Sequence, residues 1–287
     1  MADSIDKLKI LRGKPIQISD LLTIYQPTLG EIEEFGEQSF YNTFWIMCSS
    51  AWDMPSTFAD MGINFMSVSD WDFFIQVTRN LSVDDTRLIF GDLDFSKLSP
   101  MNYKKQDDTG QQVVLVNLEP LTIDNIEYNP TEFIFTEQMY HDVIKYVREM
   151  IGFTHKGRKA GNSATAKILI MDDRKQREKN KNDPYESMLL NGIVSLVNTE
   201  EFAYTYETVF NITIYQFTKS YIQIQGKKQA CAMLQGSMSG FVDTSKIPSE
   251  SFQWTYSEEK YGKKHGGKTL KSSLAPNGGK LNIKDSP

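Results

Sequence analysis

The first ninety residues alternate between short polar segments and runs with helical apolar spacing. Residues 29–48 form the longest such run, because their apolar side chains recur every three or four residues and fall on one stripe. Pro27 ends a strand-like stretch just before the run, and Thr28 has the hydroxyl that suits a helix N-cap. Glu31 stands where its carboxylate reaches back to that cap. The pattern predicts one capped helix over residues 29–48.

Three short helices are predicted to follow. One begins at Pro55 and ends at Gly62, and two begin at Ser69 and Ser82, the second of these ending at Gly91. Each serine has an aspartate three residues later, which completes a capping arrangement, and glycine is a common residue at a helix end. This succession of short capped helices predicts a compact helical cluster.

The apolar period changes to two in the middle of the chain, which indicates β-strands. Residues 111–118, 121–129 and 131–136 alternate between apolar and polar side chains. Residues 104–110 form a polar segment with a glycine, which is typical of an exposed loop. The pattern predicts a small antiparallel meander inserted between two helical parts.

Helical spacing returns in the second half of the chain. A helix is predicted from Thr136 to Gly152, and another, rich in alternating charges, within residues 153–183. An apolar helix with the composition of a core element is predicted to start at Pro184, because proline suits the first helical turn. Thr213 is predicted to cap the last helix.

The predicted fold class is α+β, mainly α-helical, with a small antiparallel β-meander and a flexible C-terminal tail. The predicted parts are an N-terminal helical part (1–92), the β-meander (93–135), a C-terminal helical part (136–254) and the basic tail (255–287). The tail is rich in Gly, Lys, Ser, Asn and Pro. The tail therefore has few apolar side chains whose burial could offset the conformational entropy that it would lose on becoming ordered.

Composition agrees with a soluble globular protein. The 287 residues are 40% hydrophobic and 24% charged, and no apolar run reaches the roughly 18–20 residues that span a membrane. The N-terminus has no apolar segment typical of a signal peptide, so an intracellular location is expected. Cys48 and Cys231 both lie in apolar helical patterns and are predicted to be small core residues instead of a disulfide.

Charge is distributed unevenly along the chain. Residues 1–154 carry 11 Lys and Arg against 24 Asp and Glu, a balance of −13, whereas residues 155–287 carry 20 against 13, a balance of +7. The two halves are complementary, which allows docking within one chain or between subunits of a homo-oligomer. A basic second half also allows contact with nucleic acid, although a pI near 5.3 disfavours this for the whole chain.

Several acidic residues resemble metal ligands, but their positions favour structural roles and no metal site is predicted. Acids in a first helical turn interact well with the positive end of the helix dipole, and no loop has the carboxylate spacing and central glycine of a calcium site. A His–Glu pair at i, i+4 lacks a third ligand and is predicted to be a surface pair. The residues concerned are Glu31, Glu33, Glu34 and Glu37 in the first helix, Asp70, Asp72, Asp84 and Asp85 at later helix starts, and Glu137 with His141.

Catalytic and cofactor-binding motifs are mostly absent, so we expect neither an enzyme nor a bound cofactor. The segment GKKHGGKT, residues 262–269, satisfies the letters of a phosphate-binding loop. A true phosphate loop follows a buried strand and opens a helix, and neither neighbour fits here. The basic residues within 153–183 have two interpretations: phosphate contact, or a solvated helix with i, i+4 pairs such as Asp173–Arg177, which the pattern favours.

Four segments, in order along the chain, carry a resemblance to a known group of proteins. They are IYQPTLGEIEEFGEQSFYNTF, RNLSVDDTRLIFGDLDFSKL, DDRKQREKNKNDPYESMLLNGIVSLVNTEEFAYTYETVFNITIYQF and GSMSGFVDTSKI. Over residues from about Lys14 to Trp254, the chain resembles phage and prophage proteins of Gram-positive hosts from the tail-morphogenesis region, and tail assembly chaperones in particular. The resemblance brings no catalytic residues with it.

The resemblance implies a non-enzymatic tail assembly chaperone that holds the tape-measure protein, the tail-tube protein or both, in the cytoplasm of the bacterial host. A structural virion protein of the tail or the head–tail joint is the alternative, and a nucleic-acid-binding protein is a third. Aromatic side chains of the first helical part are the candidate partner-binding residues, with core packing as their other use. They are Phe40, Phe44, Trp45, Trp71 and Phe74.

Overall fold

The computed structural model describes residues 7–104, 111–153 and 160–238. Within these ranges the protein is mainly helical and carries small antiparallel sheets, which confirms the predicted combination of helices with a minor β-part. The tail predicted over residues 255–287, which includes the GKKHGGKT segment at 262–269, lies outside the described residues.

Helices and strands follow each other along the described chain. The helices are α1 (Lys7–Leu11), α2 (Leu29–Phe35), α3 (Glu37–Cys48), α4 (Pro55–Asp60), α5 (Asp70–Thr78), α6 (Val83–Phe90), α7 (Glu137–Ile151), α8 (Ser163–Asn180), α9 (Met188–Val197) and α10 (Ile214–Met238). The strands are β1 (Ile16–Ser19), β2 (Leu22–Ile24), β3 (Leu98–Lys104), β4 (Gln111–Asn117), β5 (Leu121–Ile123), β6 (Ile126–Tyr128) and β7 (Ile134–Phe135). All pairings are antiparallel: β1 with β2, β5 with β6, and β3, β4 and β7 in that order.

The predicted first helix is in fact two helices, because the chain turns at Gly36. Gly36 has a φ of +96°, which a residue with a side chain rarely adopts, so α2 ends there and α3 begins at the next residue. The predicted cap is confirmed: Thr28 Oγ1 accepts from Glu31 N at 3.2 Å, and Thr28 N donates to Glu31 Oε2 at 2.7 Å. The apolar stripe conceals the break, since both helices enter one core.

The caps predicted for the next helices are also confirmed. Ser69 Oγ accepts from Asp72 N at 3.0 Å at the start of α5, and Ser82 N donates to Asp85 Oδ2 at 2.8 Å at the start of α6. Gly91 ends α6 with a φ of +57°. Two of the four aspartates considered as metal ligands therefore serve helix N-termini directly.

The predicted meander is divided between two sheets. Residues 121–129, predicted to be one strand, contain the β5–β6 hairpin, whose turn is formed by Asp124 and Asn125 with φ of +50° and +64°. Asp and Asn tolerate this left-handed conformation, and two such residues form the turn that matches the twist of paired strands. The third strand of the other sheet is β3, which pairs with β4 and follows a 3₁₀ turn at Phe95–Lys97.

An aromatic cluster joins the helices to the three-stranded sheet. The ring of Phe74 in α5 lies 4.7 Å from that of Tyr140 in α7 and 5.9 Å from that of Phe135 in β7, between centroids. Trp71 stacks beside Phe74 and donates from Nε1 to the carbonyl of Val113 in β4 at 3.0 Å. All three predicted parts of the described chain thus contribute to one core.

The starts of α2 and α10 are joined by backbone hydrogen bonds. Leu29 N donates to Ile212 O at 2.9 Å, and Ile214 N donates to Pro27 O at 3.0 Å. These two bonds form a short antiparallel bridge between segments from opposite ends of the described chain. The bridge fixes the start of α2 relative to the start of α10.

Of the helices α9 and α10, only α9 begins at a residue other than the predicted one. α9 begins at Met188 after the cap Ser187, and not at Pro184, which lies in the segment before it. α10 begins after Thr213 as predicted, and the Thr213 hydroxyl accepts from Gln216 N at 3.3 Å. The serine cap three residues after the proline therefore sets where this helix begins.

The two cysteines are free and differ in burial. Cys48 lies in the core as predicted, and burial raises the pKa of its thiol to about 12, against the opposing charge of Arg148. Cys231 is exposed on α10, so its predicted core position is wrong. The neighbouring residue Ala230 takes the buried position on that turn of the helix.

Candidate protein-binding surface

The five aromatic residues predicted to bind a partner do not form one exposed surface. Phe40, Phe44 and Phe74 are fully buried, and Trp71 is 4% exposed, so these four belong to the core. Trp45 is 41% exposed, because it lies one position away from the buried stripe of α3. For four of the five residues, the structure replaces the partner-binding interpretation with core packing, which was its alternative.

The exposed side of α9 presents an apolar and uncharged strip. Leu190 and Val194 are 61% and 43% exposed, and their i, i+4 spacing places them side by side on the helix surface. The polar residues around them carry no charge. This side, called the α9 outer face below, consists of Leu190, Asn191, Val194, Ser195 and Asn198.

A carboxylate from α3 fixes the start of α9. Glu37 Oε1 accepts from Leu189 N at 2.9 Å, and Glu37 Oε2 accepts from the hydroxyl of Ser187. Tyr185 also contacts this carboxylate, and burial together with Glu37 raises the pKa of the Tyr185 phenol. Glu37 was predicted to lie on a solvated helix face. The structure corrects this: Glu37 accepts from one of the free backbone N–H groups at the start of a distant helix.

The middle and the end of α9 are also held in place. Gly192 lies so close to α10 that a Cβ there would be 2.7 Å from Cζ of Phe217. At the C-terminal end, Asn198 Nδ2 donates to the carbonyl of Val194 at 2.7 Å and to the hydroxyl of Tyr206 at 3.0 Å. The α9 outer face is therefore a fixed surface, supported at its start, middle and end.

A polar depression of about 410 Å³ lies between β2, α6 and the β5–β6 turn. The hydroxyl of Tyr25 donates to Asp124 Oδ1 at 2.9 Å, and burial, followed by Asp124, raises the pKa of Tyr25. Glu31 and Asp92 make the lining acidic, and Arg87 adds a positive charge. The depression is open to solvent. The sequence signal for it was the turn-forming Asp-Asn pair, which was assigned to a strand.

The charged helix α8 contacts α4 through its polar residues. Arg174 and Arg177 both reach Asp60, and Arg177 Nη1 lies 3.6 Å from Asp60 Oδ2. Asp173 accepts from the hydroxyl of Ser56 at 2.6 Å, a partner 117 positions earlier in the chain. The helix is solvated along most of its length, as predicted, and its polar side chains also contact α4. Helical spacing alone does not reveal partners so distant in sequence.

The remaining candidate ligands do not assemble into a metal site. His141 Nε2 lies 3.7 Å from Glu137 Oε1, and both side chains are exposed, which confirms the predicted surface pair. Within residues 7–104, 111–153 and 160–238, no three His, Cys, Asp or Glu side chains are grouped to hold a metal ion. The same residues include no helix with the length and apolar character needed to cross a membrane.

Comparison with known proteins relates the C-terminal part of the chain to phages. Residues 178–257 match the family model described as YomV second domain, a phage-derived family of the Bacillus prophage type. The match supports a phage-related protein. No curated protein and no solved structure matches the chain.

The YomV second-domain match includes the candidate surface. It starts near the end of α8, covers α9 and α10 and continues to residue 257, beyond the described residues. The α9 outer face therefore lies in the segment that relates this chain to a phage-derived family. The match agrees with the phage part of the resemblance predicted from the sequence.

Proposed function

We propose that this phage-related protein is a non-enzymatic tail assembly chaperone. It holds the tape-measure protein, the tail-tube protein or both in the host cytoplasm until polymerisation begins. The resemblance of residues 14–254 to tail-region proteins supports a role in phage assembly, and the match of residues 178–257 supports a phage-related protein. The single observation that carries a binding function is the α9 outer face, with Leu190 and Val194 exposed to solvent.

The α9 outer face has the properties of a protein-binding strip. Each apolar side chain left in water forgoes about 25 cal/mol per Å² of stabilisation, so exposed apolar strips favour contact with a partner. The i, i+4 spacing of Leu190 and Val194 forms a ridge that fits the groove of another helix. Because α9 is already fixed, binding orders few groups. An uncharged ridge accepts many positions along one long helical protein, as a chaperone requires.

Capture of the tape-measure protein tests the proposal. We expect the pair Leu190→Asp and Val194→Asp to lower capture from a co-expression lysate by about tenfold or more, because two charges replace the ridge. The matched control is the pair Leu118→Asp and Ile126→Asp, which removes apolar groups that are 57% and 53% exposed outside α9. The control pair should capture as the wild type does. Equal capture by both pairs would exclude the α9 outer face as the binding surface.

A structural virion protein is the second candidate, since the resemblance to tail-region proteins fits it as well. Mass spectrometry of purified virions distinguishes the two, because an assembly chaperone is absent from the particle and a structural protein is present in it. DNA binding that weakens with salt would instead support the third alternative, a nucleic-acid-binding protein. Arg174 and Arg177 are already paired with Asp60, which makes α8 less suited to binding the phosphate groups of a nucleic acid.

A further inference from the structure

The α9 outer face lies in a stretch of the sequence that carries no charge. Residues 187–199 contain no Asp, Glu, Lys or Arg, although 24% of the whole chain is charged and most of residues 172–183 are. Charged side chains are the usual means by which the exposed side of a helix is solvated. Within α9, Leu190 and Val194 are exposed with only amide and hydroxyl side chains beside them. This combination restricts which partner the face fits.

A face without charge meets the condition for packing on a second copy of itself. Around a two-fold axis, each side chain near the axis lies against the same side chain of the other copy. A carboxylate or an ammonium group there would meet a like charge, which opposes association. A surface for a different protein has no such restriction, because the partner can supply the opposite charge. The neutrality of residues 187–199 therefore suits a second copy of this chain.

The polar residues of the face are also self-complementary. Asn191 is exposed next to Leu190, and its amide has both donors and an acceptor, so two copies of Asn191 can exchange hydrogen bonds. Ser195, one turn later, donates to the backbone carbonyl of Asn191 at 2.6 Å and brings no charge. An amide side chain in an otherwise apolar contact between helices fixes their register.

The two ends of α9 differ in a way that favours an antiparallel arrangement. Met188 is exposed at the start, and the exposed Tyr206 contacts the end through its bond to Asn198. When two copies of α9 run in opposite directions, Met188 of each copy approaches Tyr206 of the other, and a thioether packs well against an aromatic ring. The positive end of each helix dipole is then also adjacent to the negative end of the other.

We propose that two copies of the chain pair through the α9 outer face, with the two α9 helices antiparallel around a two-fold axis. A helix of ten residues is about 15 Å long, so the contact is smaller than a standard protein interface and the dimer is weak and reversible. The proposed function uses the same face, so pairing covers it while no tail protein is present. That consequence rests on the proposed function, whereas the dimer does not.

Sedimentation of the full-length chain tests the dimer. We expect the average mass to rise from one chain of 32.9 kDa toward two as the concentration increases from about 1 to about 500 µM. Leu190→Glu together with Val194→Glu should weaken association by about tenfold or more, because like charges then meet. The matched control, Leu118→Glu with Ile126→Glu, changes exposed apolar residues outside α9 and should associate as the wild type does. A wild type that stays a single chain at every concentration would overturn the proposal, as would undiminished association of the α9 variant.

Mixing oppositely charged variants distinguishes the pairing of like faces from other contacts. Leu190→Lys with Val194→Lys should be as monomeric on its own as the glutamate variant. Mixed in equal amounts, the two variants should associate about tenfold more tightly than either does alone, since opposite charges meet only when the α9 outer face packs on itself. Both substituted positions are exposed, and circular dichroism checks that each variant is folded. A mixture that stays monomeric would overturn the proposal.

The dimer and the proposed function can fail separately, because no tail protein takes part in these measurements. A wild-type chain that is monomeric but captures the tape-measure protein would remove the dimer and leave the proposed function. A chain that dimerises through α9 but captures nothing would support the dimer and remove the proposed function.

Discussion

Individual buried polar side chains connect segments that are separate in the chain. Asn117 is fully buried, and its Nδ2 donates to the carbonyls of Glu119 and Asn129, each at 2.8 Å. Its Oδ1 accepts from Phe133 N at 3.0 Å. This one amide therefore fixes both the entry and the exit of the hairpin segment between β4 and β7. Buried polar groups without partners are costly, so each of these bonds restrains the backbone.

Replacing this amide should destabilise the protein strongly. Asn117→Ala leaves the buried N–H of Phe133 and two part-buried carbonyls without this partner, and we expect the free energy of unfolding to fall by about 2–4 kcal/mol. Urea unfolding followed by tryptophan fluorescence measures the loss. Asn191→Ala, at an exposed position of α9, is the control and should change stability by about 0.5 kcal/mol or less. Similar losses in the two variants would contradict the role given to Asn117.

The first helix cap provides a smaller, local effect. Thr28→Ala removes the hydroxyl that accepts from Glu31 N, and we expect a loss of about 1 kcal/mol in thermal or urea unfolding. Glu33→Ala together with Glu34→Ala should leave folding nearly unchanged, because both side chains are exposed. Release of a bound metal by the double variant would show that these carboxylates act as ligands.

At the scale of elements, local rules predicted helix starts well. The caps at Thr28 and Ser82 each involve partners three residues apart, so the sequence contains all the required information. The break at Gly36 and the hairpin at 121–128 were missed, because the apolar stripe and the alternation continue across both. In each case one or two residues with positive φ change the path of the chain without interrupting the hydrophobic pattern.

The candidate site was less accessible to sequence analysis than the fold. The residues of α9 are so apolar that the pattern predicted a helix suited to the core, without indicating which side is exposed. Which side is buried depends on contacts with α3 and α10, supplied by Glu37 and Phe217. Such long-range contacts leave no periodic signal. The aromatic residues chosen instead were those with the strongest apolar pattern, and that pattern marks the core.

Close packing between α9 and α10 can be tested at one glycine. Gly192→Ala gains helix propensity of about 0.5–1 kcal/mol but inserts a methyl group 2.7 Å from the buried Phe217 ring, and such overpacking costs about 1–3 kcal/mol. We expect a net loss of about 1 kcal/mol, measured by calorimetry. Gly161→Ala is the control, because a Cβ there meets no atom within 4 Å. A net gain in Gly192→Ala would show that the two helices separate easily.

At the scale of the whole molecule, ion pairs connect the acidic first half with the basic second half. Glu149 in α7 accepts from Lys219 Nζ at 2.8 Å and from the Tyr215 hydroxyl at 3.1 Å, both in α10. Lys7 in α1 lies 3.8 Å from the same carboxylate. The charge asymmetry of the sequence is therefore used in part within the described chain, at a point where three helices meet.

This cluster predicts a specific dependence of stability on pH. Burial acts to raise the pKa of Glu149, but Lys219, then Lys7 and Tyr215, outweigh it and hold the pKa below 4.5. The unfolded carboxyl therefore binds protons at a higher pH than the folded one. The stabilisation is present above pH 4.5 and is lost as the pH falls through the lowered pKa.

Urea unfolding over a pH series measures this effect. Glu149→Gln removes the titrating group, so the variant should be less stable than the wild type at neutral pH and should lose less stability on acidification. Glu34→Gln, at an exposed carboxyl, is the control and should follow the wild-type curve. Parallel curves for Glu149→Gln and the wild type would remove Glu149 from the acid response.

The backbone bridge between the starts of α2 and α10 has a consequence for synthesis on the ribosome. Leu29 emerges early, but the carbonyl that accepts from its N–H belongs to Ile212 and is translated much later. Until then the nascent chain carries α2, together with the aromatic residues that follow it, without the segment that anchors them. The part of the N-terminal core at the start of α2 is therefore completed only after most of the chain has been translated. During that interval the growing polypeptide itself exposes the apolar surface that chaperones recognise.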